Sequence, residues 1–505
     1  MAGEDKEMKM RVAGTLKWNI VDKLSTQVLY AITGVILARV LSQADFGLIG
    51  AILIFQTFAS MFIEGGFSYA LVQRKAPTHA DYSTIFWFNM GVAAFLYTVL
   101  FFCAPAIARC FEGALALVPM SRVMFLTFII NNASLVQLSI RMKRMNMKMV
   151  AVANSLALIA GAVVGITLAL TGFGAWALVW QAVAVSSVKT AVLWCSSTWR
   201  PSAVFSWSIV RSYFRVGGGM LVQSFLNTLF QNLYSFFIGN RAGLVSLGYY
   251  TQADKWSKMG VQSVSSSLTQ SFLPALSDYQ DQPRAFASAT SKMNRLSSYI
   301  ASPFVVILIV MAAPIFHALF GQKWDPAIVL FQLLLVRGWF TIFTALYNNY
   351  VVSLGRARMV VWTEIVRDSI AVIAIIITFP YITSATPENP VYGLTIFLWG
   401  QVIAAAVAWA FMLVLASRIS WSRPLRFLAD LAPYMLLSAT VGALLWLEGT
   451  LALNPWLMIA LQGVTGLGIY ILLCKISGSV IQRDVAAYIR AQLGGKKVEE
   501  NQNVS

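Results

Sequence analysis

The sequence predicts an all-α polytopic membrane protein with about fourteen transmembrane helices. Of its 505 residues, 58% are hydrophobic and only 11% are charged, whereas a soluble chain carries about a quarter charged residues. Apolar stretches of roughly 20 residues, each long enough to cross a bilayer core about 30 Å thick, recur along the whole chain. We place the spans near residues 17–40, 46–72, 85–107, 117–139, 149–171, 174–197, 213–239, 243–273, 296–320, 327–353, 359–382, 391–417, 427–448 and 455–474.

The basic residues predict the orientation of these spans. A formal net charge of +17 would indicate a nucleic-acid partner in a soluble protein, but in a membrane protein the excess of lysine and arginine in cytoplasmic loops explains it. With the N-terminus in the cytoplasm, most loop cations fall on the cytoplasmic side, and the outer segments hold only Arg39, Arg109, Arg241 and Lys323. We therefore expect both termini in the cytoplasm and no nucleic-acid partner.

Enzymatic chemistry has little support in the sequence. No loop between predicted spans is long enough to fold as a catalytic domain, and no nucleophile motif or phosphate-binding loop is present. Four cysteines without CxxC spacing and two histidines do not make a metal site. The polar N-terminus lacks the features of a cleaved signal peptide. We expect no enzyme activity, no cofactor and no bound metal.

An internal repeat predicts two related helix bundles. The segment ILARVLSQADFGLIGA (residues 36–51) joins the first two spans, and FIGNRAGLVSLGYYTQ (residues 237–252) joins the seventh and eighth. Each has an arginine after an apolar run, then a small-residue turn and an aromatic–glycine pair. Duplicated bundles with a path between them are typical of transporters. We divide the chain into six spans in residues 1–200, six in 201–420, two in 421–475 and a cytoplasmic tail, 476–505.

One arginine lies near the middle of a predicted span. Arg337 is part of the stretch FQLLLVRGWFTIFTALYNN, residues 331–349, and a charge at that depth costs about 2.5–3.5 kcal/mol on insertion scales. Thr341, Thr344 and Asn348 follow at helical spacing, so the four side chains share one helix face. This pattern predicts that Arg337 lines a water-filled cavity, with a structural salt bridge as the alternative.

Two further polar stripes indicate the same cavity. Gln223, Asn227 and Gln231 align on the seventh span, and Lys23 aligns with Gln27 on the first. Helix–helix contact is the alternative role of such stripes. Together with the other intramembrane cations, the candidate substrate-binding residues are Lys23, Gln223, Asn227, Gln231, Lys255, Lys258, Arg337, Asn348 and Arg367.

Three intramembrane acids are candidates for ion coupling: Asp22, Glu64 and Glu364. Two of them, Asp22 and Glu364, also have a structural explanation. Asp22 is next to Lys23, and Glu364 lies three residues before Arg367, within reach of an ion pair on one helix. In the predicted tail, Ile481, Val485 and Tyr488 begin an apolar stripe that is typical of a helix lying on an anionic leaflet.

Residues 36–89 carry a family resemblance. The matching pieces are the turn from Arg39 through Asp45-Phe46-Gly47, the run Glu64-x-Gly66-Phe67-Ser68 that ends in Gln73-Arg74, and the helix start Asp81-Tyr82-Ser83-Thr84. The stretch resembles the Wzx-type oligosaccharide flippases. These form the polysaccharide-transporter branch of the superfamily that includes the MATE exporters and the lipid II flippases.

This resemblance implies two six-helix lobes arranged as a V, with spans 13 and 14 packed alongside. It also implies alternating access through a cationic lumen. The implied cargo is an oligosaccharide repeat unit on undecaprenyl pyrophosphate, moved from the inner to the outer leaflet of the bacterial cytoplasmic membrane. Membrane lipids, a polysaccharide polymerase and an export complex are the implied partners.

Three alternatives remain open from the sequence. A MATE-type multidrug antiporter has the same fold, but Arg337 on span ten would repel cationic drugs. A lipid II flippase is the second alternative, although the motifs in residues 36–89 fit the polysaccharide branch better. A membrane polysaccharide polymerase or ligase is the third, and such enzymes typically carry a large outer loop that this chain lacks.

Overall fold

The computed structural model describes residues 2–64, 71–383, 391–451 and 453–487, and these are almost entirely helical, with no strand among them. Eleven helical segments in this part of the chain are long and apolar enough to cross a membrane, with the three short consecutive helices of Leu117–Lys143 counted as one. The prediction of an all-α polytopic membrane protein is confirmed. The predicted spans near 213–239, 243–273 and 359–382 also fall on helices, but these carry more polar residues. The total of fourteen stays a prediction.

The chain divides into two compact units, Met1–Thr251 and Gln252–Ser505. The predicted boundaries at residues 200 and 420 stay predictions. The helices of the first unit are α1 (Ala2–Val40), α2 (Gln43–Glu64), α3 (His79–Cys110), α4 (Leu117–Met124), α5 (Leu126–Ala133), α6 (Leu135–Lys143), α7 (Lys148–Leu170), α8 (Trp176–Cys195), α9 (Trp207–Arg241) and the start of α10 (Gly243–Ser277). Within this unit α7 packs against α1 and α8, and α2 packs against α9.

The second unit contains the rest of α10 and seven further helices. They are α11 (Pro283–Val310), α12 (Ala312–Leu319), α13 (Asp325–Ser353), α14 (Val360–Thr378), α15 (Tyr392–Ile419), α16 (Pro424–Glu448) and α17 (Pro455–Ile476). Three short 3-10 turns, Gln322–Trp324, Ala357–Met359 and Phe379–Tyr381, lie between them, and residues 480–487 are helical. Within this unit α13 packs against α11 and α15, α14 against α15, and α16 against α11 and α17.

The two segments of the internal repeat meet in the first unit. A Cβ atom on Gly47 would lie only 1.8 Å from the carbonyl oxygen of Leu244, and one on Gly248 would lie 2.0 Å from that of Gln43. Only glycine allows backbones to approach this closely. The aromatic–glycine pairs that define the repeat are therefore the points at which α2 and α10 cross.

Candidate functional site

The predicted polar stripe lies on the least buried face of α13. Most of this helix is buried in the second unit, including Trp339, Phe343 and Tyr347. Arg337 and Asn348 are partly buried and Thr341 is exposed. The 3.6-residue period of the helix places these polar residues together on the side away from the aromatic core.

Arg337 connects three helices. One Nη atom donates to Oδ1 of Asp254 on α10 at 3.0 Å, and the other donates to Oε1 of Gln401 on α15 at 2.7 Å. Asp254 also accepts from Lys258, one turn further along α10, with 2.6 Å between Nζ and Oδ2. We refer to Asp254, Lys258, Arg337 and Gln401 as the cationic cluster. The salt bridge weighed as the alternative role for Arg337 is thus present.

The described members of the cationic cluster carry more positive than negative charge. One carboxylate compensates two cations, and Lys255 next to Asp254 adds a third, with its Nζ 5.4 Å from the centre of the Trp256 ring. The side chains of Asp254 and Arg337 are only 14% and 22% exposed, whereas that of Lys258 is 48% exposed. The cluster therefore presents Lys258 as its accessible cation, while Arg337 is held between two partners.

The other predicted cation of the second unit is paired within its own helix. Arg367 contacts Glu364 at 2.5 Å and Asp368 at 2.9 Å, and all three belong to α14. This is the intrahelical ion pair that the spacing of Glu364 and Arg367 allowed. Oδ1 of Asn348 is buried and has no hydrogen-bond partner among the described residues.

In the first unit, Asn227 and Gln231 lie on an exposed part of α9 and pair with each other, with 3.0 Å between Nε2 of Gln231 and Oδ1 of Asn227. Lys23 is exposed on α1. The side chains of Gln223 and Glu64 lie outside the described part of the structure. The polar stripe on α9 is therefore described for two of its three predicted members.

Asp22 has a partner on a neighbouring helix. Both carboxylate oxygens accept from Nδ2 of Asn154 on α7, at 3.1 and 3.2 Å, and Thr26 donates at 3.5 Å. Ser25 and Ser155 are hydrogen-bonded beside them at 3.2 Å. The hydrogen bonds of Asp22 with Asn154 and of Ser25 with Ser155 link α1 to α7. In the described residues no group of three histidine, cysteine or acidic side chains is placed to hold a metal ion.

Two members of the cationic cluster were not selected from the sequence. Asp254 lies four residues before Lys258, a spacing at which opposite charges pair along a helix. Gln401 is an isolated amide in the apolar stretch LTIFLWGQVIAAAVAWAF, residues 394–411, and a polar group in such a span usually has a partner on another helix. The spacing of Asp254 and Lys258 and the isolated amide of Gln401 are both visible in the sequence. Neither feature indicates that Arg337 contacts both Asp254 and Gln401.

A charged cluster within long apolar helices is typical of membrane transport proteins. Comparison with known proteins supports this class and identifies a family within it. The polysaccharide biosynthesis protein family matches residues 36–329, more than half of the chain. The chain belongs to this family, which confirms the resemblance to the polysaccharide-transporter branch and places the protein among transporters rather than enzymes.

Named relatives fall in the same group. The succinoglycan biosynthesis transport protein ExoT of Rhizobium meliloti (strain 1021) is 26% identical over 356 residues, which cover 70% of this chain and 72% of ExoT. The lipopolysaccharide biosynthesis protein WzxC of Escherichia coli (strain K12) is 22% identical over 328 residues, which cover 64% of this chain and 66% of WzxC.

A solved structure shows the fold. Lipid II flippase MurJ in an inward closed conformation superposes with a TM-score of 0.74 and covers 93% of this chain and 100% of MurJ, at 13% sequence identity. At this identity the likeness concerns the fold alone. It confirms the expectation, implied by the resemblance of residues 36–89, of a fold shared with the lipid II flippases.

Proposed function

We propose that this protein is a flippase that moves a lipid-linked oligosaccharide repeat unit across the membrane by alternating access, for exopolysaccharide, capsule or O-antigen assembly. The carrier that fits best is undecaprenyl pyrophosphate. The observation that supports this proposal most strongly is the cationic cluster, which has more cations than carboxylates, in a chain of the polysaccharide biosynthesis family.

The charges of the cluster suit a pyrophosphate head group. Phosphate oxygens accept charge-assisted hydrogen bonds, and lysine binds them as a compact point charge. Lys258 is the accessible cation, and its contact with Asp254 can be exchanged for one with phosphate. Arg337, held by Asp254 and Gln401, keeps α10, α13 and α15 in register and adds positive potential.

Membrane electrostatics favour outward movement of an anionic substrate. We propose that the protein lies in the bacterial cytoplasmic membrane with both termini in the cytoplasm and moves the repeat unit outward, where a polysaccharide polymerase uses it. Two negative charges that move outward across about 100 mV, negative inside, release about 4.6 kcal/mol. Glu64, Asp22 and Glu364 remain candidates for coupling to an ion, although this estimate does not require one.

The charges around Asp254 bear on the choice between a flippase and a MATE-type antiporter. Export of a cationic drug requires a carboxylate that is free to exchange its cation for the drug. Asp254 lies between Lys258 and Arg337, and this surplus of positive charge opposes cation binding. We therefore rank the flippase above the antiporter.

The test uses a strain from which the gene has been deleted. Its carrier lipids are extracted, those that bear a repeat unit are counted, and their leaflet is determined by access to a membrane-impermeant glycosidase. Complementing genes encode the wild type, Lys258→Gln, Lys258→Arg and the control Arg356→Gln, which changes an exposed cation between α13 and α14. Lys258→Gln leaves the contact of Asp254 with Arg337 in place, so we expect the variant to fold.

We expect inner-leaflet repeat units to accumulate in the deletion strain and to be cleared by the wild type, Lys258→Arg and Arg356→Gln. Lys258→Gln is expected to clear them about tenfold more slowly, because one charge-assisted hydrogen bond is lost. Repeat units that collect unpolymerised on the outer leaflet would instead indicate a polymerase. Equal clearance by Lys258→Gln would remove Lys258 from the substrate site but leave the flippase.

A further inference from the structure

A groove of about 490 Å³ lies in the second unit, away from the cationic cluster. Its walls are formed by α16, by Arg295 of α11 and by the turn that follows α17, residues 477–480. The volume is within the range of small-molecule sites. Nothing in the proposed transport cycle uses these residues.

One end of the groove is polar. Asp430 is almost fully buried and accepts from Nε of Arg295 and from Oγ of Ser291, both at 2.6 Å. Tyr434 and Ser479 share a hydrogen bond of 3.0 Å beside this pair. The contact with Asp430 uses only Nε of Arg295, and among the described residues its two Nη groups have no partner. Arg295 lines the groove, and its Nη groups are available as donors to a ligand.

The α16 wall of the groove is an apolar face that the described residues leave exposed. Ala429, Pro433, Leu436 and Thr440 line the groove at helical spacing along α16 and are all exposed, Leu436 by 68%. These residues belong to a helix that is apolar enough to cross the membrane. An apolar chain that runs along this face would lie parallel to the helix, which is the orientation of the acyl chains in a bilayer.

Three exposed cations lie close in sequence to residues that line the groove. Arg426 lies one turn before Asp430, Lys475 is in the last turn of α17, and Arg483 follows in the helix at residues 480–487.

The helix at residues 480–487 is linked to α11 by an ion pair of 2.9 Å between Lys292 and Asp484. Ile481 and Val485, two members of the predicted apolar stripe, pack with Tyr434 and Leu437 in one hydrophobic cluster. The described start of the tail therefore forms one side of the groove, through Ser477, Ser479 and Val480.

From these observations we infer that the groove binds an anionic glycerophospholipid of the bilayer, with its phosphate at the Nη groups of Arg295 and an acyl chain along Ala429, Pro433 and Leu436. The arginine fork matches phosphate geometry. Asp430 is about 9 Å along α16 from its first residue, so the fork can extend to the depth of the lipid head groups. The inference does not depend on the proposed transport function.

Native mass spectrometry of the purified full-length chain tests this inference. The protein is titrated with phosphatidylglycerol and with phosphatidylcholine of identical acyl chains. One variant, Arg295→Gln/Asp430→Asn, keeps a hydrogen-bonded pair but removes the charge. A second, Ala429→Trp, fills the groove from an exposed position and leaves every charge in place. Arg356→Gln removes an exposed cation elsewhere in the same unit and serves as the control.

We expect the wild type and Arg356→Gln to bind phosphatidylglycerol about fivefold more tightly than phosphatidylcholine, the effect of about one basic group at a membrane surface. Both groove variants should lose this preference. The inference is overturned if the two lipids bind equally to the wild type, or if both variants bind as the wild type does. It is also overturned if undecaprenyl phosphate displaces phosphatidylglycerol at equal concentration, because the groove would then belong to the transport substrate.

Discussion

At the scale of single residues, Asp254 holds the cations of the cationic cluster together. Its two carboxylate oxygens accept from Arg337 and from Lys258. An arginine within a membrane-spanning helix is costly unless it has a partner or faces water. Asp254 and Gln401 supply these partners, and the partly open face of α13 leaves the remaining positive charge accessible to an anionic substrate.

Replacement of Asp254 by asparagine should destabilise the protein. The substitution leaves Arg337 and Lys258 without their shared carboxylate, and removal of one partner of a buried ion pair costs about 3 kcal/mol. The partial exposure of Lys258 reduces its share of this cost. Thermal unfolding of the purified protein in detergent measures the effect, and the double variant Asp254→Asn/Arg337→Gln should recover part of the loss.

Glu364→Gln is the matched control for this prediction. It removes a carboxylate that is one-third exposed and leaves Arg367 its contact with Asp368, so we expect a change below about 1 kcal/mol. Equal effects of Asp254→Asn and Glu364→Gln would show that the cationic cluster does not depend on its carboxylate.

At the scale of helices, small residues determine which elements pack closely. Along α7, small buried residues recur every fourth position, at Ala153, Ala157, Gly161, Gly165 and Ala169. A Cβ on Gly161 would lie 2.3 Å from Cγ2 of Val185 on α8. Membrane helices associate through such close contacts because burial among lipids supplies no hydrophobic driving force between them. The crossing of α2 and α10 at Gly47 and Gly248 follows the same rule.

Gly47→Ala and Gly248→Ala should each destabilise the crossing of α2 with α10. The added methyl group overlaps backbone carbonyl oxygens, which cannot rotate away as a side chain can. We expect a loss of about 3 kcal/mol, at the upper end of the usual cost of overpacking. A lower midpoint of thermal unfolding would report it.

Gly91→Ala on α3 is the comparison for both glycine variants. A Cβ at that position meets no other atom within 4 Å, and alanine is the better helix former by about 1 kcal/mol. The unfolding midpoint of Gly91→Ala should therefore equal or exceed that of the wild type. A similar decrease for all three variants would mean that the crossing has no special role.

At the scale of the whole molecule, the number of membrane spans determines whether the N- and C-termini lie on the same side of the membrane. Fourteen spans place both termini on one side of the membrane, whereas an odd number places them on opposite sides. Eleven helical segments satisfy the criteria of length and apolar composition in the described part of the chain. The parity of the total depends on the more polar helices α9, α10 and α14.

Labelling of single cysteines determines this parity. In a background with the four native cysteines replaced by serine, Ala2→Cys and Asn503→Cys are each treated with a membrane-impermeant maleimide in intact cells and in inverted vesicles. We expect both to react only in inverted vesicles, because the basic loops predict cytoplasmic termini. Opposite reactivity of the two positions would exclude fourteen spans.

Composition and local spacing were enough to determine several properties of this protein. The apolar runs determined its all-α membrane fold, because backbone groups in lipid must pair within a helix. Residues 36–89 indicated the transporter family. The polar stripe of α13 could also be predicted, because the helical period alone places Arg337, Thr341 and Asn348 on one face.

Only the tertiary structure decided which residues meet across helices. The contacts of Arg337 with Asp254 and Gln401 join positions 83 and 64 residues apart, and the pair of Arg295 with Asp430 joins positions 135 apart. Helical periodicity specifies the face of a side chain but not the helix that packs against it. Which helices pack together depends on the shapes of their surfaces. At Gly47 and Gly248 the backbones of α2 and α10 approach closely because neither residue has a side chain.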